Sequence, residues 1–351
     1  MSQFPSSLMK NPRLSRDSHY VPQSILRRWS HDGHQINAYR ILVPHGNVPV
    51  WKLCPIKGVA YQRDLYTTFS GGQELDEVEH WIAREYEEPG LAAVNKISSH
   101  SQLTKLDWKN LARFVAAQDV RTPLNFMESM RRWDEEIPTI FEKTIKKSIE
   151  KLQAARERSI MLSPPNEKNE FSNLITIKID QPTDPISDEA SIRAEIPIGR
   201  SLWIASMRHL LTDAANVLCQ HRWSIAEPHG REEWLLTDHP VLRLNYYEPG
   251  HHDFRGGWNK PGSEMMMPVS PRLLLYIQVG KKWPSRFTFS QEQTVLVQRL
   301  FVERAHRWIF SRQPLSWVAD ARPRTVNAEQ VETEQNEWRE WHKNQLRAEN
   351  P

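Results

Sequence analysis

A long stretch with helical spacing, from about residue 75 to residue 158, constrains this chain more than any other feature. Apolar residues recur there at intervals of three and four, the period of an amphipathic helix. Strand-like patterns lie on both sides of the stretch. Strands and helices that are segregated along a chain are typical of the α+β class. The sequence therefore predicts an α+β protein with a central helical layer.

The amino-terminal part is predicted to form an antiparallel ribbon. Asp32-Gly33 supplies the positive backbone angles of a tight hairpin turn, so residues 25–29 and 35–43 are expected to be paired strands. After the helical layer, residues 223–247 and 273–277 have strand patterns, and residues 293–310 read as a last core helix. The C-terminal strands and this helix are expected to close one composite core.

The domain organisation follows from these elements. One domain is predicted over residues 17–312, with lobes at about 17–160 and 195–312 and a Pro-containing polar excursion, residues 163–185, between them. Residues 313–351 are predicted to be a polar, loosely packed tail.

Composition limits the partners and the compartment. The 46 Lys and Arg nearly cancel the 43 Asp and Glu, so the net charge of +3 does not support a general attraction to nucleic acid, although a local basic groove stays open. Cys54 and Cys219 are too few for a disulfide framework, which favours a reducing cytoplasm. No signal peptide and no run of roughly 18 apolar residues is present, so no membrane partner is expected.

The segment from His19 to Gln23 is the first candidate site. Pro22 fixes the backbone and directs Val21 toward an extended conformation, so His19 and Gln23 are held across a rigid elbow. Tyr20 lies between them and could contact a ligand. His19 is either a hydrogen-bonded structural histidine or a general base or ligand, because an imidazole titrates near neutral pH.

Two central helices each direct polar groups inward. Helical spacing places Glu85 on the apolar face of the first helix, and it places Gln118 and Arg121 on one face of the next. A buried carboxylate needs a partner, so we predict that Glu85 contacts Arg121 and that Gln118 satisfies remaining lone pairs. The alternative is a structural ion pair that only fixes helix register.

Asp238 follows the apolar pair Leu235-Leu236, at a turn that contains Pro240. It could present a carboxylate at a strand end, or it could close an Asx turn on its local backbone. No metal is predicted at His31 and His34 or at His251 and His252, and no nucleotide-binding, hydrolase-elbow or zinc-protease motif is present. Which cofactor, if any, the chain uses is unknown from the sequence.

Five motifs follow one another along the chain. They are His19-Tyr20-Val21-Pro22-Gln23 with Leu26-Arg27, Gln118-x-x-Arg121-Thr122-Pro123, Thr237-Asp238-x-Pro240-Val241, the stretch from Met267 to Pro271, and the stretch from Ala305 to Ser311. In this order they resemble the DUF4238 family, a family of unknown function, over about residues 17–312. His239 stands where Asn is usual in the family, and Gln298-Arg299 lies where many members carry Asn. The resemblance implies a bacterial, mostly cytoplasmic protein with one integrated domain, and it transfers no activity.

The sequence leaves two functions open, and it does not decide whether the chain is an enzyme. The first is a hydrolase that acts on phosphodiesters, with His19 as general base, Arg121 as stabiliser of negative charge, and Glu85 or Asp238 as orienting group or metal ligand. The second is a module that binds a small molecule or a protein in the same pocket, with Tyr20, Gln23 and Gln118 as contacts.

Overall fold

The computed structural model describes residues 16–70, 73–160, 176–180, 191–248 and 250–349. Helices and several sheets pack around two large apolar clusters, so the α+β prediction is confirmed. Most of the predicted polar excursion between the lobes lies outside the described residues. No helix in the described ranges combines the length and the apolar character that crossing a membrane requires.

The amino-terminal part consists of short strands and one turn of helix. Its elements are β1 (Asp17–His19), α1 (Gln23–Leu26), β2 (Gln35–Arg40), β3 (Leu42–Val43), β4 (Trp51–Pro55), β5 (Tyr61–Arg63), β6 (Thr68–Ser70) and β7 (Gln73–Leu75).

Residues 25–29 are helical, so the strand predicted there is wrong. The Pro22 carbonyl accepts hydrogen bonds from the N–H groups of Ile25 and Leu26, at 2.9 and 3.1 Å, and a 3₁₀ turn, Arg27–Trp29, follows. The rigid elbow thus starts a helix instead of a strand. An antiparallel ribbon does form, but β2 pairs with β4 on one side and with a C-terminal strand on the other.

The central layer is helical, as predicted. It comprises α2 (Glu77–Ile82), a π-helical segment (Ala83–Glu87), α3 (Glu88–Ser98), α4 (Lys105–Val120) and α5 (Pro123–Glu157). Thr104 and Asp107 form a capping box at the start of α4. The long helix α5 continues through Pro138, and its buried residues are Pro123, Phe126 and Ser129 in its first part and Ala155 near its end.

The remaining elements contribute to two larger sheets, to smaller strand pairs and to the helices that follow the central layer. They are β8 (Thr176–Asp180), β9 (Ser191–Glu195), α6 (Arg200–His209), α7 (Asn216–Gln220), β10 (Ser224–Glu227), β11 (Leu236–Thr237), β12 (Leu242–Glu248), β13 (His251–Asp253), β14 (Glu264–Ser270), β15 (Leu273–Gln278), β16 (Arg286–Thr288), α8 (Gln291–Arg304), β17 (Trp308–Ser311), α9 (Trp317–Ala321), β18 (Thr325–Val326) and α10 (Ala328–Glu349). The strand predicted at residues 273–277 is confirmed as β15. The predicted last core helix ends at Arg304, and β17 replaces its final part.

Two sheets hold the functional segments in place. The six-stranded sheet has the order β13-β12-β14-β15-β10-β16, and the four-stranded sheet has the order β11-β17-β2-β4. In the second sheet β11 and β17 are antiparallel neighbours, with Thr237 opposite Ile309. The residues just after β11 therefore lie beside the residues just before β17, although about 70 residues separate them.

Candidate functional site

A cavity of about 220 Å³ lies where the amino-terminal elbow, the end of β11, the start of β17 and helix α10 meet. Side chains from all of these segments line it. The lining includes Tyr20, Tyr61, Asp238, His306, Arg307, Trp308, Glu334 and Trp338. The cavity thus joins residues that are far apart in sequence.

Asp238 forms the most strongly fixed wall of this cavity. Its Oδ1 accepts the N–H of His306 at 3.0 Å, and its Oδ2 accepts the N–H groups of Arg307 and Trp308 at 2.7 and 3.1 Å. The Asx-turn alternative is therefore wrong, because the carboxylate caps a distant segment and not its own. Burial raises the pKa of Asp238 to about 6, against the effect of the three N–H donors.

Tyr20, near the amino terminus, and His306, just before β17, both line this cavity. Burial, followed by the negative charge of Asp238, raises the pKa of the Tyr20 phenol well above its ordinary value. Burial, followed by the positive charge of Arg307, lowers the pKa of His306 to about 4. Both groups are therefore uncharged at neutral pH, and they offer hydrogen bonds without a net charge.

Arg307 and Glu334 form an ion pair at the cavity wall. Arg307 Nε donates to Glu334 Oε2 at 2.9 Å, and its Nη2 contacts Glu334 Oε1. Glu334 belongs to α10, which also contributes Trp338 to the lining. The segment predicted as a polar tail therefore forms part of the candidate site.

His19 and Gln23 lie beside the cavity and do not line it. His19 Nδ1 is 3.5 Å from Gln23 Nε2, and the His19 ring packs on Tyr61 with a centroid distance of 5.6 Å. Burial lowers the pKa of His19. Its imidazole thus supports Tyr61, a lining residue, from behind.

Arg121 is buried and pairs with Glu87, so the predicted contact with Glu85 is wrong. Its Nη1 contacts Glu87 Oε1, its Nη2 donates to the His19 carbonyl, and its Nε donates to the Tyr66 hydroxyl at 3.2 Å. The Glu85 side chain is 41% exposed and pairs with Arg84 at 3.1 Å.

The π-helical segment explains this difference. A π segment accommodates one more residue in a turn than an α-helix, so each later residue is rotated back relative to α-helical spacing. Tyr86 therefore takes the buried position expected for Glu85, and Glu87 reaches Arg121. Pro89 lacks the N–H that would continue an α-helical ladder here, which agrees with the irregularity.

Gln118 is fully buried in α4, and the predicted bond to Glu85 is absent. Neither its Oε1 nor its Nε2 has a hydrogen-bond partner in the described part of the chain. It is not a lining residue of the cavity.

The sequence reasoning missed His239, His306, Arg307 and the contribution of α10. His239 is buried, and its Nδ1 lies 2.8 Å from Thr122 Oγ1, so it joins the start of α5 to the Asp238 turn. Residues 305–311 are a recognisable motif, but only the fold shows that their backbone binds Asp238. No group of three or more His, Cys, Asp or Glu side chains in the described residues is arranged to hold a metal ion.

Comparison with protein families gives one match. The DUF4238 model, described as a protein of unknown function, matches residues 18–314. Comparisons with curated proteins and with solved structures give no significant match. The match includes the elbow, Arg121, Asp238 and the start of β17, whereas α10 lies beyond it.

Proposed function

The chain belongs to the DUF4238 family, and we propose that it binds a small uncharged ligand in the cavity between Tyr20 and Asp238, without converting it. The observation that carries this proposal is the convergence of three distant motifs on one cavity. The elbow supplies Tyr20, the turn after β11 supplies Asp238, and Asp238 fixes the backbone of residues 306–308.

The charges around the cavity favour an uncharged ligand. Asp238 is held by three N–H groups, and Arg307 is paired with Glu334. A charged ligand that displaced either set of partners would leave a buried charge unpaired. An uncharged ligand could bind to the Tyr20 hydroxyl and the His306 imidazole without that cost.

The size and the aromatic walls indicate a small planar molecule. A cavity of about 220 Å³ is smaller than the roughly 300–1,000 Å³ of sites for drug-sized ligands. Tyr20, Tyr61, Trp308 and Trp338 supply ring faces and edges for stacking. A nucleobase or another uncharged heteroaromatic compound fits both properties.

The groups expected for phosphodiester hydrolysis are less well arranged than the binding groups. Glu85 is on the outer surface, and the Arg121 guanidinium is used by Glu87, Tyr66 and the His19 carbonyl. A general base must be within hydrogen-bond reach of the proton that it removes. These contacts support binding over catalysis.

A screen of uncharged heteroaromatic compounds tests the proposal. We expect at least one nucleobase or nucleoside to raise the melting temperature, and its nucleotide to act less. Trp338→Ala should abolish this shift, because it removes a ring from the cavity wall, while Glu337→Ala, on the exposed side of α10, should keep it. Mass spectrometry should recover the compound unchanged.

Two results would contradict the proposed binding of an uncharged ligand. The first is a shift that persists in Trp338→Ala, which would place the ligand elsewhere. The second is turnover of a phosphodiester that is lost in both His19→Ala and Asp238→Asn, which would support hydrolysis instead.

A further inference from the structure

A second cavity, of about 490 Å³, is lined by four arginines. Arg28 follows the elbow, Arg272 lies in the turn between β14 and β15, Arg286 begins β16, and Arg312 follows β17. We call this the arginine cavity. None of its lining residues lines the cavity at Tyr20 and Asp238.

The arginine cavity carries an excess of positive charge. Arg286 Nε is 3.2 Å from Glu227 Oε1, and Arg312 Nη1 is 3.0 Å from Glu233 Oε1. Within the described residues, Arg28 and Arg272 have no carboxylate partner at ion-pair distance. Two carboxylates therefore balance four guanidinium groups, which leaves a local excess of two positive charges.

Neutral groups hold the two remaining arginines in position. Arg28 donates to Ser98 Oγ at 3.0 Å and to Asn95 Oδ1 at 2.5 Å, and Arg272 Nη1 donates to the Glu232 carbonyl. These bonds orient the guanidinium groups without neutralising them. Fixed geometry before binding reduces the entropy that binding costs.

Unused donors remain in the same place. Within the described residues the Arg272 guanidinium makes one side-chain hydrogen bond, through Nη1, so its other N–H groups are free to donate to a ligand. Burial lowers the pKa of Arg28, as expected for a cation that is partly removed from water. A planar guanidinium can bind two oxygens of one phosphoryl group, and several around one cavity can share a larger anion.

We propose that the arginine cavity binds a small ligand with two linked phosphoryl groups. The excess of two charges suits a multiply charged anion better than a single carboxylate. The cationic groups surround a concavity and do not form a stripe, and the chain's net charge is only +3, so a small ligand fits better than a long nucleic acid.

Isothermal titration calorimetry with pyrophosphate at constant ionic strength tests this site. We expect pyrophosphate to bind more tightly than phosphate or sulfate. Arg272→Gln and Arg28→Gln should each weaken binding about tenfold or more, because each removes charge-assisted hydrogen bonds. Arg132→Gln, on the exposed side of α5, is the matched control and should bind like the wild type.

The variants also separate binding from folding. Arg272 makes one side-chain bond to a carbonyl, so Arg272→Gln should melt close to the wild type even if Arg28→Gln does not. The proposal is overturned if pyrophosphate shows no heat of binding at about 10 mM. It is also overturned if folded Arg272→Gln binds as tightly as the wild type, or if single-stranded DNA binds more tightly than pyrophosphate and loses binding in the same variants.

Discussion

Arg121 connects three segments that the chain brings together only when it folds. It bonds to the His19 carbonyl in the elbow, to Tyr66 after β5, and to Glu87 in the π-helical segment. The Tyr66 hydroxyl in turn donates to the Arg121 carbonyl at 2.6 Å. Arg121 thus holds the elbow that presents Tyr20 to the cavity.

Removal of Arg121 should destabilise the protein strongly. We expect Arg121→Ala to lower the free energy of unfolding by about 3–5 kcal/mol, because Glu87 is left as an unpaired and largely buried charge. Urea unfolding measures the change. In a double-mutant cycle, Glu87→Gln should show coupling with Arg121→Ala, whereas Glu85→Gln should be additive. Coupling to Glu85 in place of Glu87 would contradict the pairing.

Asp238 and His306 should give opposite dependences of stability on pH. The pKa of Asp238 is raised from 3.8 to about 6, so the folded state binds its proton more tightly than the unfolded state does. The contribution of Asp238 to the free energy of unfolding therefore falls as pH rises between these values. The pKa of His306 is lowered from 6.5 to about 4, so its unfavourable contribution disappears as pH rises through that window.

The difference in unfolding free energy between wild type and Asp238→Asn should therefore fall from pH 4 to pH 6.5, by up to about 3 kcal/mol. The free energy of unfolding of the wild type relative to His306→Gln should rise over the same pH range. Urea unfolding at fixed pH values measures both slopes. Parallel stability curves for wild type and both variants would refute the assignment.

Helices α3 and α4 approach each other closely at Gly90. A Cβ atom at this position would lie 2.4 Å from the Phe114 Cβ and 2.6 Å from its Cγ. The contact involves the rigid first atoms of a buried side chain, so rotation of the ring cannot relieve it. The helix pair is therefore fixed by the absence of a side chain at residue 90.

Gly90→Ala should destabilise the protein although alanine favours helices. We expect a net loss of about 1–3 kcal/mol, because the overpacking penalty exceeds the gain of up to about 1 kcal/mol in helix propensity. Thermal or urea unfolding measures it. Gly46→Ala is the control, since nothing lies within 4 Å of its added Cβ, and it should change stability by less than ~1 kcal/mol. An equal effect at both positions would argue against the clash.

Elements that are determined by neighbouring residues could be predicted from the sequence. Elements that depend on contacts between distant residues could not. The capping box at Thr104 and the apolar strand β15 depend on residues within a few positions. The π-helical segment depends on packing: its extra residue moved the buried position from Glu85 to Tyr86 and brought the Glu87 carboxylate to Arg121. In the same way, the motif at Asp238 is visible in the sequence, but its bonds to residues 306–308 require the pairing of β11 with β17.

Helix α10 joins both halves of the molecule. Trp341 packs on Phe126 with a centroid distance of 4.9 Å and donates to the Asp64 carbonyl at 3.2 Å. His342 contacts Glu74, and Gln345 accepts the N–H of Arg200 at 2.7 Å. The candidate site is therefore completed by a helix beyond residue 314, where the family match ends.

Truncation after Asn327 should both destabilise the molecule and open the cavity. Loss of the buried Trp341 alone is expected to cost about 3–5 kcal/mol, and loss of Glu334 leaves Arg307 without its partner. Hydrogen exchange should show faster exchange of the backbone N–H groups of residues 306–308, because water then reaches Asp238. A Trp341→Phe variant, which keeps an aromatic ring against Phe126, should lose much less stability and keep these amides protected. If truncation left the three amides as protected as in the full chain, α10 would not be a wall of the site.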